Sequence, residues 1–456
     1  MKKSLLAVAA MGAFASAAQA QSSVTVYGIL DVGYQSATVK NAGTPNAIGG
    51  AAGNNQANNT NNQITTNAST IGQSAETTSR LGFRGTEDMG GGTSAFFTVE
   101  TNLTPSSVGT MSAMNNRQSF LGLKKNGIGA ASIGTQYTPI HEAIAVTSAG
   151  QQNNMPGDVI YSTVPFNAAN FPASSIPNAN NFDAAQTAQG GAGQGTNNYT
   201  NRVSNSIVLK SDNFAGFVGK LLYAQNSSTT NAVTPVPVNG QYTNTGGYNN
   251  QSGYGLGVDY TWKKLLVSVD YQSFKANTHA VSGATVNSQV TTAVVPAQTS
   301  AFGTQANSVD NQAYLAGAYD FGILKAYVQY INRKASAVTD GNVYAKRTAQ
   351  QIGVRSFVTP TIEPWASVGT GKVTQSYYVT PTVATQIATQ SAAANQFGFQ
   401  LGSNYWLSKR TNLYAIYGSQ STGNTVYPQT QAGNTNNLNA VSNRYSSYAV
   451  GMRHTF

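Results

Sequence analysis

The chain of 456 residues contains no cysteine. That excludes disulfides, thiolate nucleophiles and cysteine-ligated metals. Its three histidines, His141, His279 and His454, lie far apart. A zinc site or an imidazole-based catalytic triad has too little to be built from, so neither an enzyme nor a cofactor is expected. Charge is scarce: 9% of residues are Asp, Glu, Lys or Arg, against about 25% in an ordinary globular chain. After residue 20 no window reaches roughly 18 uninterrupted apolar residues, so no membrane-spanning helix is expected. Gly90, Gly91 and Gly92 lack a following Lys-Ser or Lys-Thr pair and read as a turn, not a phosphate loop. The formal charge is +10, yet the basic residues are scattered and form no run longer than two. Nucleic acid as a partner is therefore not expected; a field that attracts anions is.

Lys2 and Lys3 precede an apolar run over 5–15, and Ala18-Gln19-Ala20 follows. This pattern predicts a secretory signal peptide, 1–20, with a single domain over 21–456. Export without disulfides means that stability comes from elsewhere.

The rest of the chain is rich in Gly, Asn, Thr, Ser, Gln and Tyr, and it alternates. In residues 444–456, Tyr448, Val450, Met452, His454 and Phe456 share one parity, while Ser447, Ala449, Gly451 and Arg453 share the other. Successive side chains of a strand point to opposite faces, so this is a two-faced strand with one apolar side. Similar segments of about ten residues recur. They are expected over 24–34, 77–86, 95–103, 117–124, 130–137, 202–210, 216–224 and 253–262, then over 265–274, 311–319, 323–333, 348–358, 362–373, 395–406, 412–421 and 444–456. Short turns alternate with long polar connections; one such connection runs up to Ala75. About sixteen strands, an even number joined this way, predict an all-β fold: a transmembrane up-and-down antiparallel barrel. A soluble solenoid would repeat at a fixed period, which is not seen. Tyr34, Tyr223, Tyr260, Trp262, Tyr271, Tyr405 and Phe456 fall near strand ends, as an interfacial girdle would require. The segment 444–456 is then the partner of 24–34, and their pairing closes the barrel.

A pore needs a width and a field. The longest connection, 138–200, holds Tyr161, Phe166, Phe171 and Phe182 with Pro156, Pro165, Pro172 and Pro177. It is expected to fold into the lumen as a constriction loop, the alternative being a solvated outer loop. Its acids are Glu142, Asp158 and Asp183. Lumen parity assigns Arg80, Arg84, Arg202 and Lys220 to the inner wall, and Arg117 opens the fourth strand. A basic cluster facing loop acids would create a transverse field that favours anions. Lys325, Arg333, Arg347, Arg355 and Arg453 also point inward. Any of these can instead pair with Asp31, Glu100, Asp259, Asp270 or Glu363.

The segments SSVTVYGILDVGY, SRLGFRGTEDMGGGTSAFFTVE, RQSFLGLKKNGIGAASIGTQY, NRVSNSIVLKSDNFAGFVGKLLYA and YAVGMRHTF carry a resemblance. In this order the chain resembles the general-diffusion porins of betaproteobacterial outer membranes, the Gram-negative porin family. The resemblance implies a sixteen-stranded homotrimer in the lipid bilayer of the cell outer membrane, in contact with lipopolysaccharide. It implies passage of ions and small hydrophilic solutes, with Arg80, Arg117 and Arg202 at the constriction. It also implies that Phe456 is read by the barrel-insertion machinery. The loop 138–200 departs from the family in being long and in lacking a Pro-Glu-Phe-Gly-like turn. Alternatives within reach of the sequence are a substrate-selective channel and a barrel whose surface loops act as adhesin or receptor.

Overall fold

The structure is a computed structural model. It describes residues 23–42, 63–105, 116–162, 201–238, 241–286, 305–337, 344–379, 388–428 and 438–456. The first strands are β1 (Ser23–Ala42), β2 (Gln63–Gln73), β3 (Arg80–Gly90), β4 (Thr93–Asn102), β5 (Asn116–Lys125) and β6 (Gly129–Tyr137). A helix, α1 (Pro139–Thr147), follows. Then come β7 (Arg202–Ser211), β8 (Phe217–Val238), β9 (Gln241–Trp262), β10 (Leu265–Val286) and β11 (Gln305–Asp320). The last are β12 (Lys325–Ala337), β13 (Tyr344–Arg355), β14 (Ile362–Val379), β15 (Ala388–Trp406), β16 (Thr411–Pro428) and β17 (Leu438–Thr455).

From β3 onward each strand pairs antiparallel with the next, and β17 returns to β1 from Ile29↔Thr455 to Ala42↔Ser442. Gly28 and Phe456 exchange both backbone hydrogen bonds at 3.1 Å, which completes the seam. Closure matters because hydrocarbon offers no partner to an unpaired N–H or C=O. β2 and β3 occupy one position: β1 pairs with β3 over Ser23–Ile29 and with β2 over Val32–Ala42. The 17 strands of the sheet therefore form the sixteen staves that the alternation predicts.

The barrel is apolar outside and polar inside. Val26, Val99, Leu121, Ile133, Val269, Leu315, Ile352 and Met452 are exposed on the outer face, while Asp31, Glu100, Gln272, Gln312, Gln400 and Gln420 are buried within. His454 lies on the outer face, and its Nδ1 is 2.8 Å from the Thr411 hydroxyl. Lumen residues are buried because the segment after β6 folds into the barrel. Ile140, Ala143, Ile144, Val159, Ile160 and Tyr161 pack against Tyr314, Ala316, Ile331 and Ala349 of the inner wall.

Three features differ from the expectation. The stretch up to Ala75 is not all loop, because β2 lies within it. β8, β9 and β10 are also twice as long as expected, at 22 residues each. Beyond the bilayer neither face of a strand needs to be apolar, so Thr/Asn/Ser-rich strand loses its alternation and reads as loop. Nor does period-two reading reveal α1. Thr138 caps it by accepting from the His141 N–H at 3.2 Å, Pro139 starts it, and Ile140, Ala143, Ile144 and Thr147 form its buried stripe.

Candidate functional site

The inward loop leaves an aperture between itself and the inner face of β3–β9. It is a cavity of about 440 Å³. Thr77, Thr78, Arg80, Arg117, Tyr137, Arg202, Lys210 and Lys220 line one side, and His141, Glu142, Gln151, Gln152, Asn154 and Tyr161 line the other. β3, β5 and β7 are alternate strands, so Arg80, Arg117 and Arg202 converge across the intervening β4 and β6.

Each arginine is held differently. Arg117 is buried and fully engaged: Nε donates to Glu100 at 2.6 Å, Nη1 to Asn102 at 3.0 Å and Nη2 to the Tyr137 hydroxyl at 2.8 Å. Arg80 donates from Nε to the Thr78 carbonyl at 2.9 Å and stands 3.8 Å from the same Glu100 oxygen. Glu100 also accepts from Tyr27 at 3.1 Å. Arg202 lies over the Tyr137 ring at 5.9 Å, and its Nη1 has no hydrogen-bond partner among the described residues. One carboxylate therefore sits behind three guanidinium groups, and the surplus charge faces the cavity. Breaking a buried pair such as Arg117–Glu100 by removing one partner costs about 3–5 kcal/mol.

Farther round, Lys220 pairs with Asp259 at 2.8 Å and with Glu142 at 3.4 Å, and Lys210 reaches Glu142 at 3.3 Å. Glu142 is thus the loop acid that meets the basic wall. Asp158 lies elsewhere. Its buried carboxylate accepts the N–H groups of Ile160 and Tyr161 at 2.8 Å each, a local cap against the opposite wall. Burial pushes that carboxyl up from its ordinary value, against the pull of those two N–H groups. Asp183 lies outside the described residues. Arg84 is exposed on the lumen side, 5.2 Å above the Tyr27 ring, and is not among the described residues lining the cavity.

Sequence reasoning missed Tyr137 and His141, which stack at 4.2 Å across the cavity edge. Burial, then Arg202, Arg117 and Arg80, hold the His141 imidazole well below its ordinary 6.5, so it is neutral at pH 7. The signal was available: Thr138-Pro139 followed by Glu142 is a helix start, and His141 lies in its first turn.

A profile described as Gram-negative porin matches residues 7–425. The chain belongs to the Gram-negative porin family. An outer membrane porin protein of Bordetella pertussis is 25% identical over 92% of this chain and 94% of that one. Outer membrane porin protein 32 of Delftia acidovorans is 34% identical over a shorter stretch, 32% of this chain and 34% of that one. A solved structure, the anion-selective porin from Comamonas acidovorans, superposes with a TM-score of 0.57 at 20% identity, covering 96% of this chain and all of that one. In this porin, then, the closed barrel is an outer-membrane diffusion channel.

The porin's loop is held from behind by the opposite wall. Arg347 donates to the carbonyls of Val159 at 2.7 Å and Ile160 at 3.0 Å, and Arg355 to that of Ala149 at 3.0 Å. Gln400 clasps Asn153 and the Met155 carbonyl at 2.9–3.1 Å. The approach is close. Gly157 has φ of 109°, and a Cβ there would lie 2.1 Å from the Phe399 carbonyl oxygen; a Cβ on Gly418 would lie 1.9 Å from that of Pro156. These positions require glycine.

Proposed function

We propose that this porin passes ions and small hydrophilic solutes passively and favours anions. The carrying observation is the lining of the aperture. Five cationic side chains (Arg80, Arg117, Arg202, Lys210 and Lys220) meet two acidic ones (Glu142 and Asp259). Such an imbalance in a low-dielectric constriction attracts anions and repels cations. The Comamonas acidovorans porin of similar fold is itself anion-selective. Homotrimeric assembly, contact with lipopolysaccharide, insertion guided by Phe456 and removal of 1–20 on export belong to the same proposal. They rest on family membership.

Planar-bilayer recording in a salt gradient tests it. The unaltered protein is expected to conduct steadily, with a reversal potential of the sign that anion preference gives. Changing Arg80, Arg117 and Arg202 together to Gln is expected to move that potential toward cation preference. An unchanged potential in the folded triple variant would overturn the assignment. Absence of conductance by folded, unaltered protein would overturn the whole reading.

A further inference from the structure

The aperture has a second inward element. β2 and β3 share a stave, yet the register jumps within it: Gln73 pairs with Val32 and Arg80 with Ile29. Six residues, 74–79, therefore face two, Leu30 and Asp31, an excess of four. This is far larger than the single extra residue of an ordinary bulge. Ser74 takes φ of 63°, and the excess folds inward. Ala75 packs with Met155, Trp365 and Tyr414 inside the barrel.

The fold-in is held as firmly as the long loop. The Asp31 carboxylate accepts the N–H groups of Glu76 at 2.9 Å and Thr77 at 2.6 Å, and the Tyr414 hydroxyl at 2.6 Å. The Asp31 N–H donates to the Ser79 hydroxyl at 3.0 Å. Glu76 accepts from Asn412 at 3.0 Å and pairs with Arg453 at 3.4 Å. Asp31, Ser79 and Glu76 are all buried. Charged groups tied down so completely resist displacement, because removing one partner leaves the other buried and unpaired.

This segment touches both parts of the constriction. Asn154, in the described first part of the long loop, donates from its backbone to the Ala75 carbonyl at 3.0 Å. Its side chain donates to the Ser74 carbonyl at 2.5 Å and to the Thr78 hydroxyl at 3.2 Å. The Thr78 carbonyl holds Arg80, and Thr77 and Thr78 themselves line the cavity. We propose that residues 74–79 are a second constriction element. They set the width of the aperture jointly with the long loop, with Asn154 as the positioning tie and Asp31 as the anchor. The inference rests on the channel reading above.

Deleting 75–78 removes the excess of four residues. An even deletion leaves the inward and outward faces of β3 unchanged. Single-channel conductance is expected to rise about 1.5-fold or more as the open cross-section grows, with passage of larger neutral sugars in liposome swelling. Asn154→Ala is expected to produce a smaller rise in both, with an unchanged reversal potential because no charge is lost. Barrel folding is checked by heat-modifiable migration. Folded variants whose conductance and sugar cut-off equal those of the unaltered channel would overturn the inference. If the deletion does not fold, the Asn154→Ala cut-off decides alone. An unaltered protein that does not conduct sinks the channel reading instead, which keeps the two failures apart.

Discussion

Two sets of arginines point into one lumen, and they do different work. Arg80, Arg117 and Arg202 stand on β3, β5 and β7 and line the open aperture. Arg333, Arg347 and Arg355 stand on β12 and β13, where the loop covers the wall. Arg333 is locked to Asp310 at 2.6 Å, Arg347 caps two loop carbonyls, and Arg355 joins Glu363 at 3.1 Å and the Ala149 carbonyl. In the first set Arg117 is tied to Glu100, Asn102 and Tyr137, but Arg80 stands 3.8 Å from that same carboxylate and Arg202 Nη1 has no hydrogen-bond partner among the described residues, so three guanidinium groups share one acid. In the second set backbone carbonyls and carboxylates engage each arginine. On the proposed reading, a lumen-facing cation contributes to the field only where its charge is left uncompensated.

The sharpest test of this contrast is Arg347→Met. It leaves the buried carbonyls of Val159 and Ile160 without their donors, at about 1–3 kcal/mol each. Noisy, flickering conductance is expected, with a reversal potential close to that of the unaltered channel. A large shift of that potential without added noise would place Arg347 in the field and erase the distinction. Less should follow from Glu142→Gln, which frees Lys210 and Lys220 from a half-exposed acid. Such pairs are worth about 0–1 kcal/mol, so a modest increase in anion preference is expected. A move toward cations would contradict the geometry.

The smallest effect concerns acid. His141 packs neutral, with its proton affinity lowered below the ordinary 6.5. The unfolded segment therefore binds a proton before the packed one does, and stability falls as pH drops below 6.5 toward the lowered value. Loop packing against Tyr137 is expected to weaken on acidification, seen as increasing conductance noise. His141→Gln should flatten that dependence, and an unchanged pH profile in the variant would remove His141 from the account.

The barrel was legible because lipid imposes a rule on every stave. Val450, Met452 and their equivalents must be apolar and their neighbours need not be, so period two survives wherever hydrocarbon touches the wall. The seam of β1 with β17 and the inward parity of Arg80, Arg202 and Lys220 followed from that rule. It ceases where lipid ends, which is why β2 and the outer halves of β8–β10 read as loop. Asp158 illustrates a second limit. Its carboxylate chemistry suits a pore or a cap equally, and only the packing against Gln351 and Arg347 makes it a cap.

Composition and alternation by themselves determined a charge-poor, disulfide-free barrel with an apolar exterior, because solvent and membrane act on each residue through its own face. What lies across from each inward side chain was decided by tertiary structure alone. The inward course of the long loop, the four-residue excess at 74–79 and the division of the arginines depend on contacts between residues as distant as Asn154 and Ser74, or Arg347 and Val159. Such contacts follow from how the closed wall is filled, and no local pattern encodes them.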